Sequence, residues 1–405
     1  MIQRTPFLPE NLILLDPSLM STDGHHLPAA TDLALQCRDI GVQFRAFCNV
    51  SAPAEVLDLP AKPLFQNHAY MLNTIADEDE EYAAVVAINN SVLYELVQIS
   101  QGSLSAKDFI LFPVVTYNNV IGICHWIASF PPDTSPKFGL GFTFQLDWNT
   151  DGTIGRSKAY AFRIAFDLVR DRQRGNIVTT CETAALGLDY ENATGTVPVI
   201  APIPTATHRI LDDKPLQRIP VDASAQSKPK VRIGFVGVAK PEKGTQFIPQ
   251  IVSTASDVRD DLEFAIHMNP ADHPALDELH MMSRSNKHIF VTSLHLKIDR
   301  YIEFLEACDI LVLPYDQRNY SRRGSALFNE ARLIGLPLVV PEQTWMGDHV
   351  KKEGAGTCFA EFTAKSITRA VLKAVENIED ITSAGSRAPE QRQQKLYLAS
   401  LFETL

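Results

Sequence analysis

What the chain lacks sets the first limits. Its six cysteines (Cys37, Cys48, Cys124, Cys181, Cys308 and Cys358) form no Cys-x-x-Cys pair, so neither a zinc ribbon nor a redox dithiol is suggested. Scattered thiols in apolar contexts point to reduced, buried side chains of a cytoplasmic protein. No apolar run approaches the length of a membrane span. Leu12-Ile13-Leu14-Leu15 is broken by Asp16-Pro17 and is too short for a signal peptide. A cytoplasmic protein is expected, touching the inner membrane surface peripherally at most. An excess of positive charge is missing as well. The formal net charge of −11 argues against general nucleic-acid binding, because a phosphate backbone selects basic surfaces. No internal repeat at a solenoid period is present.

What is present is ordinary globular material. A chain of 405 residues with 45% hydrophobic and 21% charged residues is long enough for two or three domains with full-sized cores. Strands are expected at residues 11–16, 42–49, 109–115, 138–144, 177–181 and 197–201. Helices alternate with them. One starts at Leu27, with Ala30, Ala34 and Cys37 on one face, and Gly41 closes it. Others cover 82–99, 118–130 and 158–173, the first preceded by the acidic cluster from Asp77 to Glu81, which suits a helix N-terminus. A polar stretch without periodicity then reads as a connection. The expected domains are 1–204, a linker 205–230, a second α/β domain 231–375 and a helical tail 376–405 that crosses back to the first domain.

The segment 309–341 carries the strongest signal. An apolar strand, Ile310 to Leu313, runs into Pro314-Tyr315. A basic loop follows, then Gly324-Ser325 and a helix on which Leu327, Ala331 and Ile334 recur at helical spacing. Gly335 and Pro337 stop that helix, and Leu338-Val339-Val340 begins the next strand. Strand, loop, helix, strand is one parallel unit of a doubly wound sheet. In such sheets ligands sit at the carboxyl ends of the strands, where Tyr320, Arg322, Arg323, Gly324 and Ser325 fall. Amides opening a helix favour an anion or a polar oxygen, and arginines add to that. The Glu330 carboxylate, beside the apolar side of the helix, can accept hydroxyl hydrogen bonds from a ribose or a sugar.

This order of residues resembles the donor-binding half of GT-B glycosyltransferases, above all the retaining glycosyltransferase family 4 (group 1). Glu330-Ala331 and Gly335-Leu336-Pro337 match its Glu-Ala and Gly-x-Pro pattern. Arg322 stands where the family often carries a second glutamate. Tyr320, Arg323 and Ser325-Ala326 look like a variant with Tyr, Arg and Ser-Gly, Ala326 taking the place of the glycine. Upstream, VRIGFVG (231–237) opens the second domain and leads to Ala239-Lys240-Pro241-Glu242-Lys243-Gly244. The family places an arginine and a lysine here against the donor's diphosphate. Lys243-Gly244 fits the lysine. Val238 occupies the arginine's place, and Lys240 is the substitute.

In the first domain, the loop from Ser18 to Asp23 leads into Gly24-His25-His26. A glycine-containing loop lets backbone approach a ligand closely. The resemblance turns this loop toward the donor diphosphate and the acceptor, so Gly24 and His25 are candidates, whereas His26 reads as a surface loop residue. Family members often carry a histidine at the end of the fifth strand. Here Gln145 takes that place, and it can hydrogen-bond a sugar hydroxyl without acting as a general base. His125 reads as a packed helix residue. Arg163, Arg170, Arg172 and Arg174, diluted by Asp167 and Asp171, read as a solvated helix face.

The resemblance implies an α/β protein of GT-B type, with two Rossmann-like doubly wound domains facing an interdomain cleft. It implies a metal-independent, hexosyltransferase-type glycosyltransferase in surface polysaccharide or glycoconjugate synthesis. A sugar would move, with retention, from a nucleotide-diphosphate sugar to an acceptor hydroxyl on a glycan, a lipid-linked glycan or a small molecule. Gly24, His25, Gln145 and Arg323 would be catalytic. Lys240, Lys243, Tyr320, Gly324, Ser325, Ala326 and Glu330 would bind the donor, and no cofactor besides that substrate is implied. Two alternatives share the fold: a non-catalytic sugar-nucleotide-binding or scaffold protein, and a nucleotide-sugar epimerase.

Overall fold

The computed structural model describes residues 7–22, 24–71, 77–99, 103–149, 152–202, 204–205, 230–269, 273–294, 296–391 and 397–405. The chain divides into two compact units, Met1–Thr205 with Lys395–Leu405, and Ala206–Gln394. Nearly all of the expected linker, residues 206–229, lies outside the described residues.

The first unit is built on β1 (Asn11–Leu15), β2 (Gln43–Asn49), β3 (Ala61–Phe65), β4 (Asp108–Phe112), β5 (Lys137–Phe142), β6 (Ile177–Cys181) and β7 (Val199–Ile200). They form one seven-stranded sheet in the order β3-β2-β1-β4-β5-β6-β7, and every pairing is parallel. A strand such as Asp108–Phe112, buried at every position, is what a parallel sheet covered on both faces requires. β1 and β4 are neighbours although β2 and β3 intervene in sequence. That reversal is the topological switch point, where doubly wound sheets bind ligands.

The second unit repeats the design with β8 (Val231–Val238), β9 (Leu262–Asn269), β10 (Ile289–Thr292), β11 (Ile310–Val312), β12 (Leu338–Pro341) and β13 (Gly356–Phe359). The order is β10-β9-β8-β11-β12-β13, so its switch point lies between β8 and β11. The fold is therefore α/β, two Rossmann-like parallel-sheet units.

The apolar patch near the C-terminus belongs to the first unit's core. Tyr397, Leu398, Leu401 and Phe402 are buried with Leu12, Leu14 and Phe109, and the Phe402 and Phe109 rings meet edge to face at 5.2 Å. The Tyr397 hydroxyl lies 3.1 Å from Thr180 Oγ1. Each such side chain contributes on the order of 1.5–3 kcal/mol on burial.

Three local expectations change. β3 was not anticipated. It is an edge strand that carries Lys62 and Pro63, and proline and lysine are tolerated at an edge while weakening the strand pattern. β5 ends at Phe142, so Phe144 and Gln145 stand in the loop beyond it. The helix expected over 158–173 is Ala159–Val169. Arg172 and Arg174 lie beyond it, and Arg170 pairs with Asp167 at 2.7 Å, so no continuous basic helix face forms. Among the described residues, no helix is long and apolar enough to cross a membrane.

Candidate functional site

Two loops leave the carboxyl edge of the second sheet at its switch point. One follows β8 and the other follows β11. Gly244 lets them touch. It has φ of +69°, and a Cβ there would stand 2.1 Å from the Pro314 carbonyl oxygen, so no larger residue fits. A second tie is the Asp316 amide, which donates to the Glu242 carbonyl at 2.8 Å.

Inside this junction Tyr315 and Tyr320 stack, ring centroids 4.2 Å apart and 25° from parallel. Both are buried. Two cations rest on them. Lys243 Nζ is 5.9 Å from the Tyr315 ring centre. The Arg323 guanidinium carbon is 4.2 Å from that of Tyr320, and its Nη2 donates to the Tyr320 hydroxyl at 2.9 Å. Burial, and then the Arg323 charge, lower the Lys243 pKa to about 8. Arg323 is half-buried and Arg322 exposed. Lys240 Nζ stands 3.8 Å from Glu242 Oε1, so part of its charge is already compensated.

The helix Ala326–Ile334 begins here. Ser325 is its N-cap and accepts from the Phe328 amide at 3.3 Å. The Ala326 and Leu327 amides belong to the first turn, which has no intrahelical acceptors. Gly324, buried, precedes the cap. Glu330, buried at 6% exposure, accepts at Oε2 from the Tyr301 hydroxyl at 2.6 Å. Burial, and then the Glu330 charge, push the Tyr301 pKa well up. Tyr301 was missed in the sequence because its amphipathic spacing on the helix Ile298–Glu306 reads as core. The second-unit candidates thus share one edge, where Lys243 and Arg323 come into electrostatic reach of each other and Arg323 contacts Tyr320.

The first unit carries another cluster at the carboxyl edge of its sheet. Gly24 is exposed with φ of +80°, and a Cβ there would meet nothing within 4 Å, so only backbone conformation favours glycine. His25 is the N-cap position of the helix His26–Asp39 and stacks on His26 at 4.4 Å. His26 itself is a correction, because it is buried. Its Nδ1 is 2.7 Å from Asp16 Oδ2 and its Nε2 is 3.1 Å from the Tyr70 hydroxyl. A carboxylate only accepts, so Nδ1 is the donor to Asp16. The reason for the difference is Asp16. Buried at the end of β1, that carboxylate needs a donor, and the first residue of the helix supplies one.

Tyr70 meets Phe144 at 5.8 Å and Trp148 at 6.2 Å, themselves stacked at 3.9 Å. Gln145 is buried beside them, with Nε2 3.5 Å from Asp147 Oδ1. Burial, and then the charge of His26, lower the His68 pKa. His125 is exposed on the helix Val120–Ala128. Asp23 lies outside the described residues.

The acidic run before the helix Glu78–Leu96 is local chemistry. Asp77 caps it, accepting from the Glu80 amide at 2.9 Å. Glu81 turns inward to Lys158 at 2.7 Å and Arg156 at 2.8 Å. Among the described residues, no group of three His, Cys, Asp or Glu is arranged to hold a metal ion.

No family model matches the chain and no curated protein matches its sequence. Solved structures do match its fold. An E. coli trehalose-6-phosphate structure bound with UDP-2-fluoro glucose aligns at a TM-score of 0.64 and 9% identity, over 98% of this chain and 99% of that one. The lipopolysaccharide outer core galactosyltransferase WaaB, in its apo form, aligns at 0.59 and 11%, over 98% and 100%. A Listeria monocytogenes protein assigned as a UDP-N-acetylglucosamine 2-epimerase aligns at 0.54 and 12%, over 98% and 94%. At such identities the likeness establishes the fold, and that fold is GT-B.

Proposed function

We propose that the chain is a glycosyltransferase that takes a sugar from a nucleotide-diphosphate donor, held by the second unit, to an acceptor hydroxyl. The observation that carries this reading is the convergence of Lys243 and Arg323 beside a helix start, with Glu330 on that same helix. Two like charges held together in a half-buried place favour an anion between them. A diphosphate supplies about two negative charges. Glu330 would receive the ribose. The Ala326 and Leu327 amides with Arg323 would stabilise the departing diphosphate, a role that needs no metal. The UDP-2-fluoro glucose bound by a protein of this fold supports the donor class.

On the acceptor side we place Gly24, His25 and Gln145, and add Tyr70, whose hydroxyl His26 holds in position. Retention of configuration, a hexosyl donor and a role in glycoconjugate synthesis are the finer expectations of the same reading. Proton NMR of the newly formed glycosidic bond checks the first.

The test is calorimetric titration of UDP, GDP, ADP and their sugar conjugates into the wild type and Glu330→Gln. The substitution keeps the shape and replaces a charged acceptor by a neutral amide, so affinity is expected to fall roughly tenfold. Equal affinity removes Glu330 from the site. Nucleoside diphosphate released together with a new glycosidic bond distinguishes a transferase from an epimerase or a scaffold.

A pH dependence follows from Lys243. Its pKa of about 8 leaves it charged below that pH and neutral above. Diphosphate affinity is therefore expected to decline as pH rises from about 7 to about 9. A bound anion raises this pKa, so binding near pH 8 takes up a proton. Titrations in buffers of different ionisation enthalpy measure that uptake. No uptake, with affinity flat across this range, would separate Lys243 from the anion.

A further inference from the structure

Three tyrosines line the second unit's candidate site, and two of their hydroxyls are hydrogen-bonded to different candidate side chains. Tyr301 donates to Glu330 at 2.6 Å. Tyr315 is buried against the Tyr320 ring. Tyr320 accepts from Arg323 at 2.9 Å, and its ring centre lies 4.2 Å from the guanidinium carbon. They come from three places in the chain: the helix Ile298–Glu306, the loop after β11, and the short helix Gln317–Tyr320. Two of them are joined by stacking.

We propose that Tyr301, Tyr315 and Tyr320 are positioning residues that set the donor-binding side chains in place, with Tyr301 governing the ribose end and Tyr320 the phosphate end. The proposal rests on the donor reading and deepens it. Glutamate and arginine lose more rotamer freedom than most residues when they are immobilised. A site that fixes them beforehand binds its ligand more tightly and with better geometry. Tyr301 selects one orientation of the Glu330 carboxylate. Tyr320 restrains Arg323 twice, by a cation–π contact and by a hydrogen bond, which matters for a fork that must meet phosphate oxygens. Tyr315 backs the Tyr320 ring by stacking and so helps to hold it in place.

A buried hydroxyl needs a partner in any protein, so pairing alone does not make a positioning residue. The discriminating consequence is a division of labour along the ligand. Tyr301→Phe keeps the ring and removes only the bond to Glu330. It is expected to weaken nucleoside diphosphate binding roughly tenfold while leaving inorganic pyrophosphate unchanged. Tyr320→Phe is expected to weaken both ligands to a similar degree, because both need Arg323. In a double-mutant cycle with Glu330→Ala, which removes the acceptor altogether, Tyr301→Phe adds no further loss.

The experiment is calorimetry on the full chain with pyrophosphate and with the tightest of UDP, GDP and ADP, alongside a thermal melt of each variant. Splitting of the two ligands by Tyr301→Phe but not by Tyr320→Phe supports the proposal. Equal losses on both ligands from both variants, or additivity in the cycle, overturns it and leaves the tyrosines as packing residues. Wild-type protein that binds neither pyrophosphate nor any of the three nucleotides overturns the donor reading itself. Binding of both ligands without the split overturns only the division of labour.

Discussion

Arg323→Ala is expected to lower transfer by on the order of a hundredfold or more, while Arg322→Ala stays close to wild type. Arg323 is half-buried and held to Tyr320 by a cation–π contact and a hydrogen bond, whereas Arg322 is exposed. A charge-assisted bond to a departing diphosphate strengthens as the sugar bond breaks. Its loss should therefore fall mainly on kcat and less on donor affinity. Steady-state transfer assays on both variants, with the donor found by titration, make the comparison. A crippled Arg322→Ala beside a near-normal Arg323→Ala would mean that the loop from Tyr320 to Ser325 serves the ligand differently.

The second large effect concerns stability and lies in the first unit. Lys158 is buried with its ammonium against Glu81 at 2.7 Å, and Arg156 meets the other carboxylate oxygen at 2.8 Å. The side chains of Lys158 and Glu81 are only 3% and 10% exposed. Glu81→Gln leaves the lysine charge buried without its counter-ion, and breaking such a pair typically costs about 3–5 kcal/mol. Trp126 and Trp148 belong to the same unit and report its unfolding in a denaturant titration. A loss under about 1 kcal/mol, the value of a surface pair, would show that water reaches the lysine freely.

Local chemistry was the most legible part of the fold. Ser325 before an apolar periodic run and Gly335 after it are a cap and a stop. The helix Ala326–Ile334 has Ser325 as its N-cap and Gly335 in the left-handed region at its end. β11 and β12 were readable because parallel strands buried on both faces appear as short apolar runs. Lys243 and Arg323 could be assigned to one edge because each follows a strand of the same sheet.

Contacts between distant segments were not legible. The touch between Gly244 and Pro314 depends on the β8–β11 pairing, which no local pattern encodes. Tyr301 reaches Glu330 from another helix, and its spacing looks like ordinary packing. His25 and His26 look alike in sequence. Only the placement of a buried carboxylate at the end of β1 separates them, turning one into a paired interior residue. β3 was obscured because an edge strand tolerates the lysine and proline that argue against a strand elsewhere.

The central claim is that a nucleoside diphosphate occupies the edge between Lys243 and Glu330. Hydrogen–deuterium exchange of the full chain, with and without the tightest-binding nucleoside diphosphate, tests it most directly. New protection is expected in residues 239–244 and 323–328, reduced in Arg323→Ala. Protection confined to other segments, or none at a saturating concentration, would contradict it.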